Sequence, residues 1–363
     1  MNSLFLANVE LGNNEGIFKK IIAQAKGLKS TNGWLITKKS KNAKVYDLQT
    51  NTEYTSTENI FSTSKNIILE HKIGIVYIRH MLPSIKLINF LMWLKNRNIK
   101  ILYEIPTYPF FAEQYRAAKK KIRAIAKIGL NILFFPFIYK YIDNLVVIKS
   151  NTNAKMLSKM VEITNGVDIE GIIPKSYSNK RESNIFRMVA VGTIYPYHGY
   201  ERILKGLSEC NEKIGDIIVE FHIVGESPTI DDLKKQVDQL KLKHVIFHGI
   251  KSTSELNELY EKFDIGLGGL ALYRRNANID TTLKIIEYYC RGIPVVTSGI
   301  SPMKKYQADS TIYVSNDDKS IDIKDIYDQF SSINESELKN ISSIAREKFS
   351  WNYIMSELLK KVL

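Results

Sequence analysis

The sequence predicts an α/β chain built from two doubly wound domains. Three observations point there. Short β-rich runs alternate with amphipathic segments along the whole chain, the alternation occurs as two series, and a polar stretch without apolar periodicity separates them. A length of 363 residues also exceeds what one hydrophobic core ordinarily serves.

In the first series, strands are expected at SLFLANV (3–9), GWLIT (33–37), GIVYIRH (74–80), IKILYEI (99–105) and NLVVIKS (144–150). The second series places them at FRMVAVGT (186–193), IIVEFHIVG (217–225), HVIFHGI (244–250), DIGLGGL (264–270), IPVVTSG (293–299) and TIYVS (311–315). Between the series, PKSYSNKRESN (174–184) reads as a linker. Ser252 followed by Glu255 has capping-box spacing and predicts a helix over LNELYEKF. In TTLKIIEYYCRGIPVVTSG (281–299) a helix is expected from near Thr281, with Ile285, Ile286, Tyr289 and Cys290 as its buried stripe and Gly292 just past its end.

Apolar and charged fractions are those of a globular protein, so disorder and fibre are excluded. Cys210 and Cys290 are far apart, match no metal spacing and sit in apolar segments, which suits a reducing, cytoplasmic setting. The N-terminus lacks a basic n-region and reads as a strand. The longest apolar run, ILFFPFIY (132–139), is short and holds Pro136, so no segment is expected to cross a membrane. Net charge is +13, and it is uneven: residues 1–165 carry 25 basic against 10 acidic groups, residues 166–363 carry 26 against 28. The first half should therefore face something anionic: a membrane surface, a phosphorylated substrate or nucleic acid.

Within that half, QYRAAKKKIRAIAKIGLNILFFPFIYKY (114–141) has no acidic residue. Its Arg116, Lys119, Lys120, Lys121, Arg123 and Lys127, followed by aromatic and aliphatic residues, fit contact with an anionic leaflet better than a merely solvated helix. No nucleic-acid-binding motif accompanies the charge, so nucleic acid is not the expected partner. HExxH, G-x-S-x-G and P-loop patterns are absent, and no metal or other cofactor is implied.

Ligands of doubly wound sheets bind beyond the carboxyl ends of the strands. LGNNEG (11–16) follows the first strand and offers Gly12 and Gly16 ahead of a helix expected near Ile17, a loop an anion could approach. Arg79 and His80 end one strand, and Glu104 and Tyr108 follow another. Lys284 and Glu287 lie three residues apart on one helix and have two readings: a surface ion pair, or a cation for phosphate and a carboxylate for ribose hydroxyls.

LKIIEYYCRGIPVV (283–296) resembles the donor-binding helix of family-four glycosyltransferases of the GT-B fold, of the bacterial polysaccharide and lipid-linked glycan type. ITNGVDI (163–169), VAVGTIYPYHGYERILKGL (189–207), FHIVGES, VIFHGIKSTSELNELYEKFDIGL and the final FSWNYIMSELLKKVL (349–363) resemble other segments of that family, in its order.

The resemblance implies two Rossmann-like domains facing a cleft: an acceptor-binding domain over 1–172, completed by a C-terminal helix (350–363) that crosses back, and a donor-binding domain over 183–349. It also implies a retaining hexosyltransferase that uses a nucleotide-diphosphate sugar, with UDP the commonest nucleotide, and passes the sugar to a glycan acceptor expected to be lipid-linked, in cell-surface polysaccharide synthesis. Such an enzyme would sit peripherally on the inner face of the cell membrane, and other polysaccharide-synthesis enzymes are partners left open. Gly12, Gly16, Thr193, His198, Arg274, Lys284 and Glu287 would bind the donor. Arg79, His80 and Tyr108 would meet the acceptor, and Glu104 and Asp280 are the candidate catalytic carboxylates.

The chain departs from the family pattern in four places, one of them Glu104, in a region where relatives often carry a histidine. Thr193 and His198 stand where relatives carry arginine and lysine, so the phosphate charge must be met by Arg274, Arg275 or Lys284. Ile279 stands at the family's second glutamate, leaving Asp280 as sugar contact or as helix N-cap. His198 is read either as a phosphate donor or as a surface cap. These departures keep open a catalytically inactive partner protein, and a nucleotide-sugar epimerase of similar architecture is the rival enzyme.

Overall fold

The computed structural model describes residues 1–10, 15–28, 32–109, 115, 121–176, 184–226, 230–306 and 310–363. The chain divides into two compact units, one of Met1–Lys149, Asn153–Asp168 and Ser350–Leu363, the other of Ser150–Thr152 and Ile169–Phe349. Most of the stretch expected as a linker, 177–183, lies outside the described residues.

The first unit holds an eight-stranded sheet in the order β4-β3-β2-β1-β5-β6-β7-β8. Its strands are β1 (Asn2–Glu10), β2 (Gly33–Lys39), β3 (Asn42–Asp47), β4 (Thr52–Ser56), β5 (Ile73–Arg79), β6 (Lys100–Tyr108), β7 (Asn144–Lys149) and β8 (Met160–Ile163). The run from β2 to β8 is parallel, as the alternation predicts, but β3 and β4 add an antiparallel edge that the strand pattern did not signal. Period-two alternation sends Leu4, Leu6, Val76, Ile78, Ile101 and Tyr103 to one face and Phe5, Ala7, Tyr77 and Leu102 to the other.

Helices α2 (Ile60–Glu70), α3 (Ile85–Lys95) and α4 (Lys121–Tyr141) supply the core of the first face, and α1 (Glu15–Leu28) covers the second with the C-terminal helix α11 (Trp351–Val362). The two covering helices approach closely: a Cβ on Gly27 would lie 2.6 Å from the Trp351 carbonyl oxygen. Ser350 caps α11 by accepting from the Tyr353 N–H, and the Trp351 N–H bonds the Val167 carbonyl at 3.4 Å.

Pro136 does not end its helix. α4 runs 21 residues through it and, among the described residues, is the one helix long and apolar enough by length and composition to cross a membrane. Ala124, Asn131 and Ile138 form its buried line at seven-residue spacing, and Ile138 belongs to the sheet core.

The second unit holds β9 (Ile185–Val191), β10 (Lys213–Ile214), β11 (Ile217–Val224), β12 (Val245–Gly249), β13 (Ile265–Leu267), β14 (Val295–Thr297) and β15 (Thr311–Tyr313). Their order is β10-β11-β9-β13-β14-β15, with β12 beside β11. All pairs are parallel except the β10–β11 hairpin. Helices α5 (Glu201–Glu209), α6 (Ile230–Gln239), α7 (Thr253–Tyr260), α8 (Leu283–Arg291), α9 (Ile323–Ser331) and α10 (Glu335–Lys348) connect and cover these strands.

The Ser252–Glu255 capping box forms ahead of α7 as its spacing predicts. In α8 the four expected stripe residues are fully buried, and Gly292 ends the helix at φ 76°, a left-handed conformation that a Cβ disfavours.

Candidate functional site

Strands β9, β13 and β14 deliver three loops near the N-terminus of α8. Thr282 precedes this helix in an extended conformation and places no side-chain acceptor over its first turn. An α-helix begins with N–H groups that lack intrahelical partners, so such an end suits an anion.

Lys284 and Glu287 do not pair with each other, which removes the reading as a mutual surface ion pair. Lys284 Nζ turns inward and donates to the Tyr200 hydroxyl at 3.0 Å. Burial lowers its ammonium to about 7, against an opposing pull from Asp280. Glu287 accepts from Arg291 Nε at 3.2 Å and Nη2 at 2.9 Å, both through Oε1. The second carboxylate oxygen stays on a side chain still 30% exposed.

Asp280, a candidate sugar contact, is fully buried and already saturated. Oδ2 accepts from the Gly269 N–H and Thr297 Oγ1, each at 2.8 Å, and Oδ1 accepts from the Thr282 N–H at 3.0 Å and Oγ1 at 2.7 Å. It ties the β13 and β14 loops to the start of α8. Its place is that of a strut, close to the N-cap alternative.

In the loop after β9, Thr193 is exposed. His198 is 2% exposed, which corrects the surface-cap alternative. Its Nδ1 accepts from the Tyr195 N–H at 2.9 Å, and its ring stacks on Tyr200 at 5.4 Å between centroids. Burial, then Lys284 and Arg275, holds its pKa well below the usual range. With Nδ1 accepting, the neutral ring carries its proton on Nε2 and offers a donor without charge.

The 3-10 turn Leu272–Arg275 separates two adjacent arginines. Arg274, expected to bind the donor, is committed within the unit: it donates to the Pro196 carbonyl at 2.7 Å, to Glu201 Oε1 at 2.6 Å, to Asp318 and to the Tyr273 hydroxyl. Arg275 lies over the Tyr197 ring at 4.5 Å, and its Nε and Nη2 are buried with no hydrogen-bond partner among the described residues.

In the first unit the expected residues scatter. Glu104 is fully buried under α1, where Oε1 accepts from Gln24 Nε2 at 3.3 Å. Lys20 and Arg79 lie close enough to act on one another and on the Glu104 charge. These surroundings are those of a buried counter-ion.

Arg79 Nη1 reaches Gln24 Oε1 at 3.5 Å on the same face, whereas His80 Nδ1 meets the Tyr103 hydroxyl at 3.1 Å on the other. Burial and then Arg79 push His80 down to about 4, so it is neutral. The Tyr108 hydroxyl donates to the Lys155 carbonyl at 2.8 Å. Gly16 falls in the first turn of α1, and Gly12 lies outside the described residues, as do Arg116, Lys119 and Lys120. Lys121, Arg123 and Lys127 are exposed on α4.

With this geometry in place, residues 185–325 match the family described as Glycosyl transferases group 1. Those residues are a group 1 glycosyltransferase domain. The Asp280 strut, the His198 loop and the α8 N-terminus all belong to this transferase domain.

Among solved structures, the chain is similar to a sucrose-phosphate synthase from Thermosynechococcus elongatus (TM-score 0.63, 12% identity, covering 99% of this chain and 98% of that one). It is also similar to Anabaena HepE solved with UDP-glucose (0.59, 14%, 99% and 100%) and to the catalytic domain of Arabidopsis thaliana starch synthase IV bound to ADP and acarbose (0.62, 10%, 99% and 98%). At these identities the likeness is one of fold: the GT-B glycosyltransferase fold with two Rossmann-like domains. Among curated protein sequences, none matches this chain.

Sequence reasoning missed Tyr197 and Tyr200, whose hint was the tyrosine-rich YPYHGY (195–200).

Proposed function

We propose that this glycosyltransferase moves a sugar, with retention of configuration, from a uridine diphosphate sugar to a lipid-linked glycan in cell-surface polysaccharide synthesis. In this reading the second unit takes the donor and the first takes the acceptor. The observation that carries it is the α8 N-terminus, where Lys284, neutral His198 and a part-exposed Glu287 carboxylate are presented by one group 1 glycosyltransferase domain.

Departure of a diphosphate needs donors and cations fixed where negative charge develops, and a helix start with a half-buried lysine supplies both without a metal. Glu287 is assigned to the ribose hydroxyls. HepE was solved with UDP-glucose and starch synthase IV with ADP, so the base is tested among uridine, guanosine and adenosine diphosphates. Calorimetry should find one of them bound by the wild-type chain and lost in Glu287→Ala, with sugar transfer lost alongside. Binding and turnover unchanged in a folded Glu287→Ala would remove the site.

The same reading places the first unit on the inner leaflet through α4. Ile122 is 84% exposed, Leu133 63%, Ile132 58% and Phe137 52%, and basic residues flank them. Ile138, at the end of the buried line of α4, is part of the sheet core, which suits a helix lying in the interface rather than one crossing it. Flotation with anionic liposomes should be salt-sensitive and should weaken when Lys121, Arg123 and Lys127 are changed to Gln. Association that ignores both salt and these changes would sink the assignment.

A further inference from the structure

We infer that Arg275, rather than its neighbour Arg274, is the arginine that grips the donor diphosphate, replacing the cations missing at Thr193 and His198. The inference rests on the donor reading above and deepens it. The two arginines are adjacent in sequence and opposite in circumstance. Arg274 spends its guanidinium on a carbonyl, two carboxylates and a hydroxyl.

Arg275 keeps Nε and Nη2 buried without a partner among the described residues. A buried guanidinium N–H without an acceptor costs free energy that folding alone does not recover, so such a group marks a place where an acceptor arrives later. The guanidinium carbon rests over the Tyr197 ring, 4.5 Å from its centroid, a cation–π contact that favours this placement.

The charges that reach His198 have one sign. Arg275 and Lys284 both act on His198, and the nearby carboxylate, Asp280, has its oxygens occupied by Gly269, Thr282 and Thr297. Two cations and an uncharged imidazole donor thus stand together. A diphosphate brings two negative groups and acceptor oxygens that match a planar arginine fork with a lysine beside it. Arg274 acts as a strut: it ties the 3-10 turn to Pro196, Glu201 and Asp318 and so sets where Arg275 points.

The test is calorimetry of UDP, UMP and uridine against wild type, Arg275→Gln, Arg275→Lys and Arg274→Gln, with thermal melting of each apo chain. Arg275→Gln should lose about tenfold or more in UDP affinity while uridine binding stays within about twofold, since a charge-assisted phosphate contact is removed and no base contact is touched. Arg275→Lys should recover only part of the loss, because the charge returns without the fork.

Melting should separate the pair, with Arg274→Gln clearly destabilised and Arg275→Gln close to wild type. If wild type binds UDP and Arg275→Gln binds it equally well, or if Arg275→Gln melts as low as Arg274→Gln, the assignment is overturned alone. A wild-type chain that binds none of the nucleoside diphosphates overturns the donor reading, and this assignment with it.

Discussion

Each unit turns a half-buried lysine toward a carboxylate, and the two lysines end in different situations. In the first unit Lys20 is brought down to about 8 by burial, against the pull of Glu104, and donates to Asn165 Oδ1 at 2.6 Å over the Trp351 ring. In the second, burial brings Lys284 to about 7, against Asp280.

The carboxylates differ more than the lysines do. Glu104 gives one oxygen to Gln24, while its Oε2 and the neighbouring Tyr77 hydroxyl complete no hydrogen bond with a described residue. Asp280 has four hydrogen bonds and no spare acceptor. The unsatisfied atoms are therefore an acidic oxygen and a hydroxyl in the first cluster, and arginine donors in the second. A cation cluster with its own counter-ion holds a fold together, whereas one whose carboxylate is already spent is prepared for a ligand.

The largest expected effect breaks the first half of this comparison. Glu104→Gln leaves Lys20 and Arg79 near one another without their buried carboxylate, which should cost about 3 kcal/mol or more, read as a fall in the urea midpoint. Adding Lys20→Met should return part of that loss, since one uncompensated charge goes with it. If Glu104→Gln keeps full stability and loses sugar transfer, Glu104 belongs to catalysis and the two clusters are alike after all.

Strands with continuous apolar runs were legible because burial on both sheet faces leaves no other composition. The edge was not: β4 is almost wholly exposed along Thr52–Ser56, so its sequence carries no trace of a core and only pairing with β3 makes it a strand. Glu104 stands in phase with Leu102 on β6, and that parity already assigns it to the face under α1. Its position near a strand end suggested a ligand, and the alternation outweighs that suggestion.

The candidate site was legible at α8, where a short segment holds helix start, lysine, glutamate and terminal glycine. It was not legible at Arg274 and Arg275. Their difference comes from Glu201 and Asp318, 73 and 44 residues away from Arg274, and from a turn that sends adjacent side chains apart.

A smaller effect sharpens the second half of the comparison, through the proton on Lys284. A lysine whose folded pKa is lowered to about 7 from 10.5 is charged in both states below pH 7, and its burial penalty is fully present there. As pH rises from about 7 to 10.5 the folded chain has shed the proton that the unfolded chain still holds, so this penalty is relieved and stability gains.

A diphosphate arriving beside Lys284 favours the ammonium and raises its pKa again. At pH 8, UDP binding should therefore take up protons, and affinity should fall as pH climbs above 7. Binding enthalpies measured in two buffers of different ionisation enthalpy should differ for wild type and agree for Lys284→Met. Lys20→Met supplies the contrast: Lys20 already has its counter-ion in the chain, so the uptake should persist in that variant. Buffer-independent enthalpy in the wild type would mean that Lys284 meets no phosphate, and the second cluster would then be as self-contained as the first.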